Sequence, residues 1–176
     1  MTAYVHTSAG LKIWVARRSA HLFTYPNRLD TTVAGVIKAE HSPFECIVAE
    51  ADEEASSPPD FVRKNARATG TISYVTKNIN TGLIHPSVLY IFDIELPSTM
   101  IPKPQDDEVA EFYPLSVEEV KQAMLRQEFM PNCAFVMIDF AIQQSIITPE
   151  NKDDYVEITT RLRRRRPVPT RPEKRT

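Results

Sequence analysis

The sequence predicts one α/β domain, in which strands and helices alternate along the chain. Three observations lead to this prediction. The length of 176 residues suits one domain with a hydrophobic core. Two segments, residues 69–77 and 87–96, are rich in the β-branched and aromatic residues that strands favour. Around them, apolar residues recur at helical spacing behind sequence signals that start helices.

The first part of the chain predicts a strand and a helix. Residues 12–17 alternate apolar and polar side chains and indicate a strand, whereas residues 18–34 look irregular. A helix is predicted from Ser42 to about Ala55. Ser42 can cap it, a proline occupies its first position, and Glu45 falls at the capping-box position.

The middle of the chain predicts a short helix and a pair of strands. Two prolines end the first helix, and a short helix over residues 59–66 follows. Residues 78–82 lie between the strands at 69–77 and 87–96 and indicate a hairpin-like connection. Residues 97–108 are rich in prolines and acidic side chains and predict a loop.

The last part of the chain predicts one strand and three helices. The strand lies near residues 109–115. Ser116 caps the helix that follows, with Glu119 in the capping-box position. A mostly apolar helix is predicted over residues 132–147, and a final helix begins near residues 148–150 and runs into a group of arginines.

Composition narrows the class of protein. The hydrophobic content of 42% and the charged content of 25% are ordinary for a globular protein. No apolar stretch approaches the roughly 18 residues that a membrane span needs, and the N-terminus lacks a secretory signal. Cys46 and Cys133 are far apart and lack metal-ligand spacing. We therefore expect reduced thiols and a cytoplasmic location.

Charge is distributed unevenly along the chain. Residues 161–176 carry a net charge of +7, so residues 1–160 carry −9. Such a basic run is typical of nucleic-acid-binding or nuclear-targeting segments. Its three prolines favour the alternative of a solvated tail, and the acidic body does not suit nucleic acid. We predict a domain over residues 1–160 and a basic, disordered tail over residues 161–176.

Three glutamates form the most informative local pattern. Glu50, Glu53 and Glu54 share one face of the predicted helix, because residues three and four positions apart lie together on a helix surface. Like charges at this spacing repel by roughly 0.2–0.5 kcal/mol per pair. A divalent cation such as Mg²⁺, which prefers oxygen ligands, would offset the repulsion. A solvated acidic helix face is the alternative interpretation.

Gly35, fifteen residues before Glu50, extends this pattern into a longer motif. With the segment AEADEEAS at residues 49–56, it resembles the Nudix box, whose pattern is G-x5-E-x7-R-E-U-x-E-E-x-G-U with U apolar. The glycine and the three glutamates match this pattern. The resemblance implies a Nudix α/β/α sandwich with a mixed β-sheet.

The flanking segments extend the resemblance to about residues 10–165. The segments LKIWVARRS, PNRLDTTVAG and PNCAFVMIDFAIQQSIITPEN are similar to one Nudix branch. That branch contains fungal and plant proteins related to the Nudix module fused to some thiamine pyrophosphokinases. Its members usually carry a region before the Nudix domain, so the resemblance implies that this chain is a shortened form.

The resemblance also implies which residues carry the chemistry. Glu53 and Glu54 would be the main ligands of Mg²⁺, with Mn²⁺ as a substitute, and Glu50 would bind or assist. A fourth carboxylate from a later loop would act as a base or as a further ligand. Its candidates, each with a solvated surface role as the alternative, are Glu108 and Glu111, ahead of Asp107.

Several positions depart from the Nudix pattern. The replacements are His41 for the first glutamate, Ala49 for the arginine, Ser56 for the second glycine and Ser57 for an apolar residue. Val36 follows Gly35 where this branch generally has another glycine. An arginine at position 49 would orient the carboxylates. Because of these departures, a second interpretation stays open: a catalytically weakened Nudix domain that serves as a ligand-binding or regulatory module.

The sequence pattern is less specific for the residues that would bind the substrate. Gly35 belongs to the predicted phosphate loop. Three arginines could meet phosphate or serve as surface charges: Arg17, Arg18 and Arg28. Five aromatic residues on strand-like segments are expected to pack in the core, although one of them could stack on a base or thiazole ring: Trp14, Tyr74, Tyr90, Phe92 and Phe112. The sequence does not choose among them.

The resemblance implies hydrolysis of a small-molecule diphosphate by metal-assisted attack of water on phosphorus. The expected substrate is thiamine diphosphate or an oxidised analogue, which would be cut to the monophosphate. A hydrolase of nucleoside diphosphate derivatives such as ADP-ribose is the alternative within enzymes. The sequence does not determine the oligomeric state.

Overall fold

The computed structural model describes residues 1–77 and 81–164 of the chain. Strands and helices alternate along this part as the sequence predicts. In chain order they are β1 (Thr2–Thr7), β2 (Gly10–Arg18), β3 (Leu29–Asp30), α1 (Pro43–Ala55), α2 (Pro59–Asn65), β4 (Arg67–Lys77), β5 (Ile84–Glu95), β6 (Val109–Ser116), α3 (Val117–Leu125), α4 (Pro131–Gln143) and α5 (Tyr155–Leu162).

The strands form one mixed sheet in the order β3-β2-β1-β5-β4, with β6 paired to β2. β6 runs along one edge of β2 from Lys12 to Arg18, so β1 and β3 share the other edge. β1 and β5 are parallel, and the other pairs are antiparallel. β1 meets β5 only at Asp93–Glu95. The preceding residues of β5 therefore pair with β4 alone within the described structure.

Hydrophobic clusters cover both faces of the sheet. One cluster joins Ile47 and Ala51 of α1 to Phe92 of β5. The other joins Phe140 of α4 to Ile91, the neighbour of Phe92 along the strand. Because neighbouring side chains of a strand point to opposite faces, the two clusters lie on opposite sides of the sheet. The predicted α/β/α sandwich with a mixed sheet is confirmed.

The predicted capping boxes at the starts of α1 and α3 differ in how completely they form. At α3, Ser116 and Glu119 form the complete predicted capping box. At α1, the Ser42 hydroxyl accepts the Glu45 backbone N–H at 3.1 Å, as predicted. The Glu45 carboxylate, however, binds Arg63 of α2 at 2.6 Å instead of the cap backbone. The box at α1 is therefore half formed, because an ion pair between helices holds the glutamate.

The structure adds two strands that the sequence analysis did not predict. β1 contains only two buried apolar residues of ordinary core type, Ala3 and Val5, so its hydrophobic pattern is weak. β3 is only two residues long and lies within the segment that was predicted to be irregular. Both strands are stabilised by pairing with β2, a contact that a local pattern does not contain.

The last two helices are shorter than predicted. α4 ends at Gln143 because Ser145 adopts a left-handed φ of 56°, which stops the helix before Ile147. The next segment forms turns, in which the side chain of Asn151 accepts the Thr148 N–H at 3.0 Å. α5 consequently begins at Tyr155 rather than near residues 148–150.

Two predicted segments fall partly outside the described residues. Residues 78–80 of the hairpin connection and residues 165–176 of the basic tail lie outside them. The start of the tail contacts the body of the domain, since Arg163 Nη2 donates to Asp139 Oδ1 at 2.5 Å. None of the helices in the described part of the chain is long and apolar enough to cross a membrane.

Candidate active site

A cavity of about 710 Å³ lies beside α1, where β5 runs beyond its pairing with β1. Its walls come from α1, the loop after β3, the part of β5 that β1 does not reach, and the beginning of α4. Both acidic and apolar side chains line it. The predicted site residues that it brings together are Arg18, Gly35, Glu50, Glu54 and Glu108.

Glu54 is a buried carboxylate of this cavity, with 8% of its surface exposed. Its Oε2 accepts a hydrogen bond from the backbone N–H of Ala34 at 3.0 Å. Burial raises the pKa of Glu54 to about 8, and the charges of Asp30 and Glu50 act in the same direction. The Ala34 hydrogen bond opposes this shift only in part. Glu54 therefore lies in a site that is short of positive charge.

Glu50 lies one helical turn before Glu54 and is half-buried. Burial is the main cause that raises the pKa of Glu50, followed by the charge of Glu53. Glu108 and Asp106, on the loop before β6, raise it further. The negative charges of α1 and of this loop thus act on the same carboxylate, although they are more than fifty residues apart in sequence.

Asp106 is a site candidate that the sequence analysis missed. Its Oδ1 accepts the backbone N–H of Glu108 at 3.0 Å, and its charge acts on both Glu50 and Glu54. The signal for it in the sequence is the run of three acids at residues 106–108, whose second and third members are the predicted candidates. Asp107, the lesser candidate, lies 3.6 Å from His21 instead.

Gly35 approaches the carboxylate of Glu50 so closely that a side chain would not fit. A Cβ atom at position 35 would lie 2.3 Å from both Cδ and Oε1 of Glu50. The glycine is required here by this contact between the loop and α1. It therefore fixes the space in which the Glu50 carboxylate can lie.

Ser56 makes the turn at the end of α1, at the position where the Nudix pattern has a glycine. It ends α1 in the left-handed conformation, with φ of 51° and ψ of 33°. Its hydroxyl donates to the carbonyl of Lys103 at 3.1 Å, which ties the end of α1 to the acidic loop. The departure at position 56 therefore leaves the end of the helix intact.

Four predicted site residues do not line the cavity. Glu53 is exposed on the surface of α1. Arg17 and Glu111 face each other on β2 and β6, where both bind the hydroxyl of Tyr113. Arg28 donates to the carbonyl of Gln127. The structure thus brings Glu50, Glu54 and Glu108 together in the cavity. Glu53, the two arginines and Glu111 lie outside it.

The donor chemistry of the cavity fits a hard divalent cation. Carboxylate oxygens are the ligands that Mg²⁺ prefers, and Glu54 is buried among other acids with a single backbone N–H against it. Arg18 forms an ion pair with Asp30, with 3.4 Å between Arg18 Nη1 and Asp30 Oδ2. Among residues 1–77 and 81–164, no group of three or more His, Cys, Asp or Glu side chains is already arranged around one metal position.

Comparisons with known proteins identify relatives. Among curated proteins, the Saccharomyces cerevisiae protein YJR142W is 40% identical over 172 residues, covering 93% of this chain and 50% of its own length. Nudix hydrolase 20, chloroplastic, of Arabidopsis thaliana is 34% identical over 166 residues, covering 94% of this chain and 43% of its own length. The chain thus spans about half the length of the curated relatives it matches.

A solved structure and a family model agree with these relatives. The NUDIX domain of Shewanella oneidensis NrtR, solved in complex with ADP ribose, superposes with a TM-score of 0.57 at 12% identity and covers 83% of this chain and 84% of its own. At this identity the match shows a shared fold. The family model of the NUDIX domain matches residues 2–133, which include the cavity helix and the acidic loop. This chain therefore belongs to the NUDIX domain family.

Proposed function

We propose that the domain is a Mg²⁺-dependent hydrolase that cleaves the diphosphate of a small molecule. The observation that carries the proposal is the buried Glu54, which shares a cavity with Glu50 and Glu108 and forms no ion pair within the described part of the chain. A divalent cation would supply the missing charge, and a diphosphate would supply its remaining oxygen ligands. The curated plant relative, which bears the name of a Nudix hydrolase, supports the same activity.

The residues of the chain have distinct proposed roles. Glu50 and Glu54 would hold Mg²⁺, and Glu53 would reach it from the exposed surface of α1. When bound, Mg²⁺ would neutralise diphosphate oxygens and lower the pKa of a water molecule. Glu108 or Asp106 would orient that water and accept its proton, since the charges of both act on Glu50. Mn²⁺ has similar ligand preferences and is expected to substitute.

The proposed substrate is thiamine diphosphate or an oxidised analogue, cut to the monophosphate. The resemblance of the flanking segments to the thiamine-associated Nudix branch supports this choice. ADP-ribose is the second candidate, because a NUDIX domain of the same fold was solved with it. Ala49, which lacks the guanidinium that would orient the carboxylates, favours a third candidate, a domain that binds a diphosphate without cleaving it.

A substrate panel tests the proposal. Thiamine diphosphate, oxothiamine diphosphate and ADP-ribose are incubated with the protein, with Mg²⁺ or with a chelator, and monophosphate and phosphate release are measured. We expect release of a monophosphate that depends on Mg²⁺, with a thiamine compound as the best substrate. Binding of these compounds without cleavage of any of them would contradict a hydrolase and support the binding domain.

The proposal also includes a reducing compartment such as the cytoplasm. Cys46 and Cys133 are both buried, and neither is in a disulfide. Free thiols are usual where glutathione and thioredoxin keep proteins reduced.

Gly35→Ala is expected to lower activity while leaving the fold intact. The new methyl group would overlap the carboxylate of Glu50, and the end of this flexible side chain would move out of the cavity. We expect Mg²⁺-dependent kcat/KM to fall about 10-fold or more, as it does when a group that orients a ligand is lost. Thermal unfolding in metal-free buffer should stay close to that of the wild type. Unchanged kcat/KM would show that the position of Glu50 in this structure is not the active one.

A further inference from the structure

Exposed apolar side chains collect on one part of the cavity. Val36, Ile37, Val88 and Tyr90 all line it and are all exposed, Val36 by 85% and Tyr90 by 50%. Singly, exposed apolar residues are common on protein surfaces. Grouped in the cavity that also holds the acidic residues, they form an apolar wall of the kind that binds the non-polar part of a ligand.

The course of β5 explains why Tyr90 is uncovered. Every second side chain of a strand lies on the same face, and on β5 Val88, Tyr90 and Phe92 share one face. Phe92 is buried against Phe44 in the first turn of α1, with ring centroids 5.9 Å apart. Tyr90 lies two residues before Phe92, away from the part of β5 that pairs with β1. The helix thus covers the sheet at Phe92 and leaves the same face open at Tyr90.

Tyr90 is also the one of the five candidate aromatic residues that is free to meet a ligand. Three of them are buried in the core: Trp14, Phe92 and Phe112. Tyr74 reaches the cavity, but its ring packs on Phe135 of α4 with centroids 6.2 Å apart. Tyr90 lacks such a ring partner among the described residues and presents its ring to the cavity.

The lining of the cavity extends along most of α1. From Pro43, at the start of the helix, to Glu54 the axial rise is about 16 Å. Pro43 and Glu54 both line the cavity and thus mark two parts of it along the helix. A ligand with a diphosphate at one end and a flat ring at the other has the dimensions and the polarity to occupy both parts.

We infer that Tyr90, with Val88 on the same face of β5, is the platform on which a planar aromatic ring of the substrate stacks. The substrate class is therefore a diphosphate ester that carries an aromatic or heteroaromatic ring, as opposed to an alkyl diphosphate. This inference rests on the proposed function for the location of the diphosphate. Tyr90 has a binding role and takes no part in the chemical step.

Equilibrium binding tests the platform separately from hydrolysis. Methylene-bridged analogues of thiamine diphosphate, ADP-ribose and the ring-free isopentenyl diphosphate, which cannot be hydrolysed at the bridge, are titrated into the full chain by calorimetry in the presence of Mg²⁺. Of the two ring-bearing compounds, the one that the wild type binds more tightly is compared between variants. Tyr90→Ala should weaken its binding by about 10-fold, the usual effect of losing one stacked ring. Tyr90→Phe keeps the ring and should bind like the wild type.

Val75→Ala is the matched control. Val75 is 40% exposed on the neighbouring strand β4 and does not line this cavity. Its substitution should leave all three affinities unchanged, and Tyr90→Ala should leave the affinity for the isopentenyl diphosphate analogue unchanged. Thermal unfolding of the variants checks that they are folded.

The outcomes separate the two proposals. Loss of ring binding in Tyr90→Ala without hydrolysis in the wild type would overturn the proposed function and support the platform. Hydrolysis of a ring-bearing diphosphate with equal binding by Tyr90→Ala and the wild type would overturn the platform alone. An equal loss for ring-bearing and ring-free ligands would also overturn it.

Discussion

Glu54→Gln is expected to remove nearly all Mg²⁺-dependent hydrolysis. Glutamine has almost the same shape as glutamate and can still accept the hydrogen bond from Ala34, but it lacks the negative charge that would hold a divalent cation tightly. We expect kcat/KM for the best diphosphate of the panel to fall by about 100-fold or more, the size of effect seen when a group that stabilises transition-state charge is removed. The measurement is steady-state kinetics over a range of Mg²⁺ concentrations.

The same substitution should stabilise the metal-free protein. A carboxyl group with a pKa raised to about 8 in the fold contributes stability that is complete below its unfolded pKa and is lost as the pH rises towards 8. Glutamine imitates the protonated form and avoids this loss. Near pH 7 the variant should gain on the order of 3 kcal/mol in free energy of unfolding, measured by urea denaturation with a chelator present. Mg²⁺ should raise the unfolding temperature of the wild type only.

Glu45→Gln is the matched control for this prediction. Glu45 belongs to the same helix, but it is exposed and pairs with Arg63 away from the cavity. Its replacement should leave hydrolysis unchanged and alter stability much less than Glu54→Gln does, because exposed ion pairs contribute little to stability. If Glu54→Gln kept the activity of the wild type, the assignment of Glu54 as a metal-holding residue would be wrong.

Asp93→Asn is expected to remove a large part of the pH dependence of stability. Asp93 is buried on β5, and its Oδ1 has no hydrogen-bond partner among the described residues. Burial, together with the charge of Asp139, raises its pKa to about 7. The raised pKa means that this carboxyl group stabilises the fold in acid and that the contribution is lost as the pH rises from about 4 to 7.

Between about pH 5 and pH 8, the wild type should therefore lose on the order of 2–3 kcal/mol that Asp93→Asn retains. Urea denaturation of both proteins at the two pH values measures the difference. Asp60→Asn, at an exposed position in α2, controls for the removal of one negative charge. Equal pH dependence in the wild type and Asp93→Asn would show that Asp93 is not a buried acid of this kind.

Local signals were sufficient to predict most helices and strands. Ser42 with Pro43 marks the start of α1, and Ser116 with Glu119 marks the start of α3, because a cap depends on residues within one helical turn. The strands β4 and β5 were predicted from their own composition. β1 was missed because its short, weakly apolar segment becomes a strand only through pairing with β2 and β5.

The candidate site, like the fold, was predicted in part from local sequence signals and depends in part on contacts between distant residues. The spacing of Glu50, Glu53 and Glu54 on one helix, with Gly35 before it, is written in the sequence, since helix geometry alone places these side chains on one face. The register between β2 and β6, by contrast, sets Glu111 opposite Arg17 and away from the cavity, while the loop before β6 brings Asp106 and Glu108 to α1.

The sequence by itself thus determined the acidic face of α1 and the family of the fold. The tertiary structure alone decided which loop acids join that face and how closely Gly35 approaches Glu50. It also decided which of the five candidate aromatic residues, namely Tyr90, stays uncovered. The physical reason is the range of the interactions. Helix periodicity acts over a few residues, whereas the cavity depends on strand register and on where α1 stops covering the sheet, both of which join residues far apart in the chain.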